Sequence, residues 1–501
     1  MIISGGDNGV LTAYSRVGKK LGDFTGHNDE VWAVTPSPDG RYLVSGAHDQ
    51  TVRLWNLKSR ELLATLFYGR DGEWVMWTPQ GYYDASGPGA EMIGWQINHS
   101  PDQAPDYVTG AQLRKSLHRP DIIARAIQLA SAEAAVKEAY GTHFKLSDLL
   151  AKPVPRFRIV SPAANATFSG GGTEVEIALE PTPDPVKLIR VQVNGREIAE
   201  QVPHQGGGFT PGILKIPVPL AKGRNAIHLV AVNESGETPA DLVVTHPGDG
   251  DLDRRGTLYI LAIGVDKYPN IPGHDLRFSG ADARAFAEAM EKYAGPLHAY
   301  VVKRVLTNDA APGNVPTAAN ILNALGQLSE AKATDTVMVF VAGHGENEGP
   351  NYRFLPTDAA WQSSDRFLPA SVVPWYAFQE ALEAAKGRRI LFLDTCHSGN
   401  SYNQRLSNDA YQANIIVYSA ARWDQFSWER ADLGGGHGLF AYATVEGVEG
   451  KAAKADDGGR VTALSLRDYL VARVEELAHS QATTRSRNIS AGGMPRTTCS
   501  P

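Results

Sequence analysis

The sequence has little cysteine, no excess of positive charge and no long apolar run. Two cysteines in 501 residues, Cys396 and Cys499, exclude a scaffold held together by disulfides. Lys and Arg number 48 against 55 Asp and Glu, and the resulting net charge of −7 argues against a dedicated nucleic-acid binder. No apolar run reaches the roughly 18 residues of a membrane-spanning helix. We therefore expect neither nucleic acid nor a membrane as a partner.

Targeting and cofactor signals are also missing from the sequence. The first residues show no basic segment followed by an apolar core, which a signal peptide requires, so we expect a cytoplasmic protein. There is no Cys-x-x-Cys, no His-Glu-x-x-His and no Gly-rich phosphate loop, so no resident metal or cofactor is predicted. The length predicts about three domains, at about 150 residues each.

The first hundred residues repeat with a period of 41. Residues 45–55 follow residues 4–14 at this offset, and Gly81, Tyr83 and Ser86 follow three residues of the preceding copy at the same offset. Repeats of about 40–45 residues are typical of propeller blades, in which each repeat supplies four strands. The sequence therefore predicts propeller-type blades over residues 1–100.

One repeat opens with Gly-His at 26–27 and closes with Trp-Asn at 55–56, and it resembles the WD-repeat family, with Asn in place of the usual Asp. The resemblance implies that His27, Ser45 and Asp49 form a hydrogen-bonded network with Trp55. His27 is then a structural histidine and not a catalyst or a ligand.

Only about two and a half blades fit into this region, whereas a closed propeller has about 4–8. We expect that Met1 falls inside a blade and that further repeats precede it. The alternative is that the blades pack on another part of the chain.

The next segments predict a connector and a second β domain. Residues 101–154 predict a helical connector, with Pro120 at the start of an amphipathic helix. Residues 155–247 show short alternating strands with the hairpin signal Asn-Gly at 194–195, which predicts a small β-sandwich of immunoglobulin-like type for spacing or binding. Residues 248–256 are polar and charged and predict a solvated linker.

From 257 to 485, continuous apolar strands alternate with helices, which predicts an α/β domain with a mostly parallel sheet covered on both faces; residues 486–501 form a tail. Two of these strands run into unusual motifs, Gly-His-Gly at 343–345 and Asp-Thr-Cys-His-Ser-Gly at 394–399. Because chemistry in such sheets lies at the carboxyl ends of the strands, we expect both motifs at one edge.

His344 and Cys396 are residue types that can cleave an amide together. The imidazole takes the thiol proton, the thiolate attacks a carbonyl carbon, and the imidazole returns the proton to the leaving amine. Backbone N–H groups of Gly345 and Cys396 would hold the oxyanion. A buried cysteine alone is usually inert, and a histidine between glycines can simply occupy a turn. Their joint occurrence favours a catalytic dyad.

On these two motifs and on residues 276–283, the region 257–478 resembles the caspase-like peptidases in their metacaspase or bacterial orthocaspase branch. The resemblance implies a cysteine endopeptidase with His344 and Cys396 as its dyad. Animal caspases carry Gln at the position of Asp394, and the acid here is typical of metacaspases.

The same resemblance implies an acidic pocket that binds Arg or Lys before the scissile bond. Asp394 and Asp282 are its expected acids, with Asp424 as a further candidate. Two other interpretations stay open: Asp282 can cap a helix that begins at Ser279, and Asp394 can brace a loop.

Self-cleavage and calcium are further expectations of the resemblance. Arg405, in the polar stretch after the cysteine motif, is the predicted self-cleavage site, with 254–255 as a second basic site. Many metacaspases are activated by calcium, and Asp358 and Asp365 are candidate ligands, although the family site does not map onto them.

The leading hypothesis is a cysteine endopeptidase that cuts after Arg or Lys, with β domains for targeting or regulation through an unidentified protein partner. The second is a binding scaffold whose peptidase-like domain does not cut. The third is a caspase-fold peptidase of different specificity, for Asn or Asp.

Overall fold

The computed structural model describes residues 1–98, 102, 104–141, 146–203, 208–348, 351–363, 366–398, 406, 409–410, 413–420 and 429–488. Within these ranges no helix combines the length and the apolar character needed to cross a bilayer. Antiparallel sheets come first along the chain, two sheets with a common core follow, and a sheet built on parallel strands comes last.

Eleven short strands form the N-terminal part of the described chain. Their bounds are β1 (Ile2–Gly5), β2 (Leu11–Tyr14), β3 (Lys20–Phe24), β4 (Val31–Pro36), β5 (Tyr42–Ala47), β6 (Thr51–Asn56), β7 (Leu62–Tyr68), β8 (Trp74–Trp77), β9 (Tyr83–Ala85), β10 (Gly94–Ile97) and β11 (Asp106–Thr109). The sheets are β1-β2-β3, β4-β5-β6-β7-β8-β9 and β10-β11.

The strands recur at the 41-residue period, but the boundaries between sheets do not follow it. At this offset β8 and β9 correspond to β4 and β5, yet they form no separate blade: β8 pairs with β7 and extends the preceding sheet to six strands. An outer strand of a sheet presents unpaired backbone groups, and β8 satisfies those of β7. The last, partial repeat therefore continues the preceding sheet at this boundary.

The connector consists of four helices that pack on this extended sheet. They are α1 (Arg114–Leu117), α2 (Pro120–Leu129), α3 (Ala132–Tyr140) and α4 (Leu146–Leu150). Pro120 opens α2, as predicted, because its ring fixes a helical φ where no N–H is needed. Ile122 and Ala126 on α2 share one buried cluster with Val75 of β8 and Tyr83 of β9.

Two antiparallel sheets enclose the next core. One has the order β12 (Phe157–Ser161), β13 (Gly172–Leu179), β16 (Gly212–Pro219), and the other β15 (Arg196–Gln201), β14 (Leu188–Val193), β17 (Gly223–Val232), β18 (Glu237–His246). Alternate residues of both sheets, among them Val175, Ile177, Val191 and Leu229, are buried in a single cluster. Asn194 and Gly195 connect β14 to β15, where the sequence placed a hairpin turn.

The segment 248–256 is not a solvated linker throughout. It forms a short 3₁₀ helix, Asp251–Asp253, and Leu252 is buried in the core of the two preceding sheets. The charged residues of this segment suggested solvent exposure, but Asp253 accepts hydrogen bonds from the backbone N–H groups of Gly250 and Lys222.

The C-terminal part of the described chain alternates strands with helices. The bounds are β19 (Thr257–Gly264), α5 (Ser279–Tyr293), β20 (Tyr300–Thr307), α6 (Ala318–Gly326), β21 (Thr336–Glu348), β22 (Asn351–Phe354), β23 (Trp361–Ser363), β24 (Arg366–Phe367), β25 (Val373–Pro374), α7 (Trp375–Ala384), β26 (Arg388–Ser398), β27 (Ile416–Ser419), β28 (Glu429–Arg430), β29 (His437–Gly438), α8 (Leu439–Glu446) and α9 (Ala463–Asn488).

The central strands β20, β19, β21, β26 and β27 pair in that order and in parallel, and the short strands β22 and β25 add an antiparallel extension beyond β21. Successive residues point to opposite faces of a strand. Accordingly Ile263 of β19 belongs to a buried cluster with α6 and α7, whereas Ala262 belongs to a second cluster with α5, α8 and α9.

The two-sheet domain contacts this parallel sheet at the start of β26. Arg389 and Glu197 form an ion pair in which both side chains are almost fully buried. Backbone N–H groups link Glu197 and Gly387 in both directions, at 3.0 and 2.8 Å. Arg389 also donates to the Ala413 carbonyl, so this contact fixes the strand that carries the cysteine motif.

Candidate functional site

The motif at 343–345 and residues 394–398 of the second motif lie inside paired strands. β21 extends through the Gly-His-Gly motif to Glu348, and β26 extends to Ser398. Backbone pairing between β21 and β26 continues past the apolar cores of the two strands. The register places His344 directly opposite Cys396.

The His344 side chain is oriented by a backbone carbonyl. Its Nε2 lies 2.7 Å from the oxygen of His274, and since a carbonyl only accepts, Nε2 carries the proton. A neutral imidazole in this tautomer has its lone pair on Nδ1. Burial lowers the pKa of His344, and the hydrogen bond to His274 offsets this only in part. The ring is therefore kept neutral and able to accept a proton near neutral pH.

Two buried tyrosines brace the strands on which the motif residues lie. Tyr268 accepts a hydrogen bond of 2.9 Å from the backbone N–H of His344, and Tyr352 shares one of 2.9 Å with the hydroxyl of Thr395. A Cβ on Gly343, whose φ is +149°, would lie 2.9 Å from the Tyr268 hydroxyl, and one on Gly345 would lie 2.6 Å from the Tyr352 ring. The motif glycines are thus required by packing.

A small cavity of about 30 Å³ lies beside this pair of strands and is lined by three carboxylates, Asp282, Asp394 and Glu429. Asp282 comes from α5, Asp394 from β26 and Glu429 from β28. All three acids surround a space that holds one or two water molecules. The cavity is therefore suited to a positive charge.

Asp282 does not cap its helix. Phe278 is the N-cap residue of α5, and Asp266, not Asp282, accepts from a backbone N–H of the first turn, that of Gly280, at 3.1 Å. The Asp282 carboxylate instead accepts from Nδ1 of His437 at 2.7 Å and from the backbone N–H of Gly438 at 3.1 Å. Burial raises the pKa of Asp282 to about 6; its two hydrogen bonds oppose this, and the nearby Glu429 carboxylate adds to it.

Asp394 is buried, and its Oδ2 accepts a hydrogen bond of 3.3 Å from the backbone N–H of Ala441 in the first turn of α8. A Cβ on Gly438 would lie 2.9 Å from Oδ2 of Asp394 and 3.1 Å from Oδ2 of Asp282, so only glycine fits between the two carboxylates. The positive end of the α8 dipole thus faces two buried acids and stabilises their charge.

Sequence reasoning missed Glu429 and His437. Glu429 accepts hydrogen bonds from the backbone N–H groups of Phe278 and Arg277, at 2.9 and 3.2 Å, and so fixes the segment before α5. Both residues lie on the two-residue strands β28 and β29, which are too short to give a periodic signal. The Gly-rich stretch before His437 was the one visible hint of an unusual turn.

Several predicted residues are not tested by this structure. Asp424, Arg405, Asp365 and Cys499 lie outside the described residues. Gly345 lies within β21, paired on one side with β22 and on the other with β26, and its role and that of Cys396 in holding an oxyanion remain predictions.

The described residues do not fit a calcium site. Asp358 accepts the backbone N–H of Ala318 at 2.9 Å and so serves the start of α6. Across the described ranges, no group of three or more His, Cys, Asp or Glu side chains is arranged to hold a metal ion. We derive no catalytic step from calcium.

The WD-type network is present in the second sheet. His27 Nδ1 lies 2.9 Å from Asp49, its Nε2 lies 2.8 Å from the Ser45 hydroxyl, and Trp55 Nε1 donates to the same hydroxyl at 2.8 Å. These bonds connect the loop before β4 with β5 and β6. The structural role predicted for His27 is confirmed. Asn56 donates to the carbonyl of Ala130 and so links the repeat to the connector.

Comparison with known families agrees with both regions. Residues 258–489 match the family model of the caspase domain. Residues 18–56 match the family model described as WD domain, G-beta repeat. The chain therefore contains a caspase domain and, near its N-terminus, a WD repeat.

The chain is similar to curated proteins over a short part of its length. The chain is similar to eukaryotic translation initiation factor 3 subunit I of Aspergillus oryzae, with 36% identity over 75 residues, which cover 15% of this chain and 22% of the relative. The same subunit of Aspergillus niger shows 40% identity over 57 residues, 11% of this chain and 17% of the relative. The chain thus spans about a fifth of the length of these relatives.

Among solved structures, fibronectin(III)-like modules of Clostridium thermocellum CbhA are similar at 12% identity, with a TM-score of 0.15, over 19% of this chain and 100% of that chain. The endo-beta-1,4-mannanase of Thermotoga petrophila gives 12% identity and a TM-score of 0.16, over 24% of each chain. TM-scores this low do not establish a shared fold.

Proposed function

We propose that this protein is a cysteine endopeptidase of the metacaspase or orthocaspase type that cleaves after Arg or Lys, with His344 and Cys396 as its dyad. One observation carries the proposal: the parallel register of β21 and β26 sets His344 opposite Cys396, and an acidic cavity lies beside them. A caspase domain acts on polypeptides, so a peptide carbonyl is the expected target.

The tautomer of His344 supports its role as the general base. With Nε2–H donated to the His274 carbonyl, the lone pair on Nδ1 is available to take the thiol proton of Cys396. The thiolate then attacks the scissile carbonyl carbon, the C–N bond breaks, and the imidazolium gives its proton to the leaving amine. Water hydrolyses the thioester in a second step and regenerates the thiol.

The three carboxylates support the preference for a basic residue. A guanidinium can pair bidentately with Asp394 or Asp282, and such charge-assisted hydrogen bonds are stronger than neutral ones. An acidic side chain would meet like charge in a buried cavity, and this repulsion would weaken its binding free energy by roughly several kcal/mol. Glu429 takes the place of the third acid for which the sequence offered Asp424.

The WD repeat and the two-sheet domain, which we assign to an immunoglobulin-like sandwich, support a role in targeting. WD repeats typically bind other proteins, and Arg389 and Glu197 couple the sandwich to the strand of the cysteine motif. The partner is a protein whose identity is open. Arg405 remains the proposed self-cleavage site.

The test is hydrolysis of fluorogenic peptides that differ only in Arg or Asp before the reporter, with and without calcium. We expect cleavage of the Arg peptide that Cys396→Ala abolishes and the matched variant Cys499→Ser leaves unchanged. Preference for the Asp peptide would refute the assigned specificity. Failure to cut any peptide in either condition would favour a non-proteolytic scaffold.

A further inference from the structure

We propose that His437 is a positioning residue for the acidic cavity: its imidazole keeps the Asp282 carboxylate ionised and oriented, so that the cavity presents that charge to a basic substrate side chain. This inference rests on the proposed function and deepens it. His437 belongs to β29, and its imidazole contacts Asp282 directly.

The geometry of the pair is that of a donor serving a carboxylate. Nδ1 of His437 lies 2.7 Å from Oδ1 of Asp282, and an ionised carboxylate can only accept, so Nδ1 donates. The neighbouring N–H of Gly438 reaches both carboxylate oxygens, at 3.3 and 3.1 Å. Two consecutive residues of one hairpin strand thus hold the carboxylate in a single orientation.

Asp282 requires such a donor because its surroundings oppose its charge. Its side chain is only 3% exposed, and the carboxylates of Asp394 and Glu429 line the same cavity. Burial and like charge both favour the protonated acid, whereas hydrogen bonds to the ionised form favour the anion. Within the described part of the chain, His437 is the one side chain that donates to Asp282.

The other charged and titratable groups nearby do not replace this donor. Arg430 pairs with His437 in the β28–β29 register, but its guanidinium donates to Asp432 and to the Leu477 carbonyl. The ring of Tyr442 in α8 lies with its centroid 6.3 Å from that of the imidazole. Asp266, before α5, is an acceptor and takes the backbone N–H of Gly280.

The test compares His437→Ala, which removes the donor, with His437→Asn, whose amide N–H can replace it. At pH 7 we expect KM for the Arg peptide to rise about tenfold in His437→Ala, the effect of one hydrogen bond to a charged group, with kcat changed less than about twofold. The acid limb of the kcat/KM profile should move to higher pH, because Asp282 without its donor binds protons more readily. His437→Asn should restore both quantities.

A matched control exists on the sandwich. His228 donates from Nδ1 to Asp241 at 2.8 Å, but this pair is solvent-exposed. His228→Ala should leave KM and the pH profile unchanged. Equal loss of kcat in His437→Ala and His437→Asn, or an unchanged KM and acid limb in His437→Ala, would overturn the inference while the proposed function stands.

A readout independent of turnover separates the two ideas. In the Cys396→Ala protein, the thermal unfolding temperature should fall more steeply from pH 5 to pH 8 after His437→Ala, because a buried carboxylate must then ionise without its donor. His437→Asn should follow the parent. Parallel curves for all three proteins would refute the role of His437. A wild type that cuts no peptide would refute the proposed function, and the same curves would still decide the ionisation of Asp282.

Discussion

Two histidine–aspartate pairs of nearly equal length, one in the WD repeat and one in the caspase domain, differ in what surrounds them. Nδ1 of His27 lies 2.9 Å from Oδ2 of Asp49, and Nδ1 of His437 lies 2.7 Å from Oδ1 of Asp282. Burial acts to raise the pKa of Asp49, but hydrogen bonds from Thr51, Asn28 and His27 outweigh it and lower the pKa to about 2.

For Asp282 the effect of burial outweighs that of the hydrogen bonds from His437 and Gly438, and the pKa rises to about 6. Asp49 accepts hydrogen bonds from Asn28 and Thr51 as well as from His27, whereas Asp282 has two donors and shares a cavity with Asp394 and Glu429. The same residue pair therefore holds a carboxylate with a lowered pKa where the donors are many and one with a raised pKa where they are few. A third histidine, His344, donates to a backbone carbonyl and has its lone pair on Nδ1.

The largest expected difference is between His344 and His27. His344→Ala should reduce kcat by about 10³-fold or more, because the general base is lost. His27→Ala should leave kcat within about twofold of wild type at a temperature where the protein stays folded. Peptide hydrolysis at saturating substrate measures both. Normal turnover by His344→Ala would show that another group takes the thiol proton.

The next effect concerns the acids of the cavity. Asp394→Asn should lower kcat/KM for the Arg peptide by about 100-fold, since a desolvated charge pair is lost, while KM carries most of the change. Asp432→Asn is the matched control, because Asp432 is exposed and pairs with Arg430 on the same hairpin. Equal effects of the two substitutions would contradict a specific acidic cavity.

In the WD repeat, His27→Ala should lower stability and not activity. His27→Ala removes one hydrogen-bond partner from each of Ser45 and Asp49, which costs about 1–3 kcal/mol of the free energy of unfolding of that region. The lowest-temperature transition in calorimetry should therefore shift downward. An unchanged transition would mean that the network contributes little beyond its geometry.

The smallest expected effect is on how stability depends on pH, which should have opposite signs for Asp49 and Asp282. Asp49 has a lowered pKa, so its contribution to stability is present above pH 4 and is lost as the pH falls toward 2, by up to about 2 kcal/mol. Asp282 has a raised pKa, so the folded state loses stability as the pH rises from about 4 to about 6. Unfolding temperatures of Asp49→Asn and Asp282→Asn from pH 3 to pH 7 should deviate from wild type in opposite directions.

Local patterns in the sequence located most strands and helices but not the walls of the cavity. Helix α5 begins at Ser279, where the sequence placed the start of a helix. Strands β21 and β26 extend further than their apolar cores because pairing with each other, and not burial, continues them through the motifs. No local sequence pattern predicts which side chains that are distant in the sequence contact each other in the fold.

The assignments at the site show the same limit. His344 and Cys396 were found as motifs, and their alignment depends on a strand register that no sequence window contains. Asp282 was placed in the cavity by family resemblance, while the capping rule gave the wrong local role. Glu429 reaches the cavity and His437 reaches Asp282 from two-residue strands, 147 and 155 positions after Asp282, so only the tertiary fold brings them there.

The most direct test of the account is covalent labelling with two peptides that carry a thiol-reactive ketone after Arg or after Asp, followed by mass spectrometry of the modified residue. We predict that the Arg reagent labels Cys396 and not Cys499, that it reacts at least about tenfold faster than the Asp reagent, and that His344→Ala loses the reaction. Labelling of Cys499, an unaffected rate in His344→Ala, or faster reaction of the Asp reagent would contradict the account.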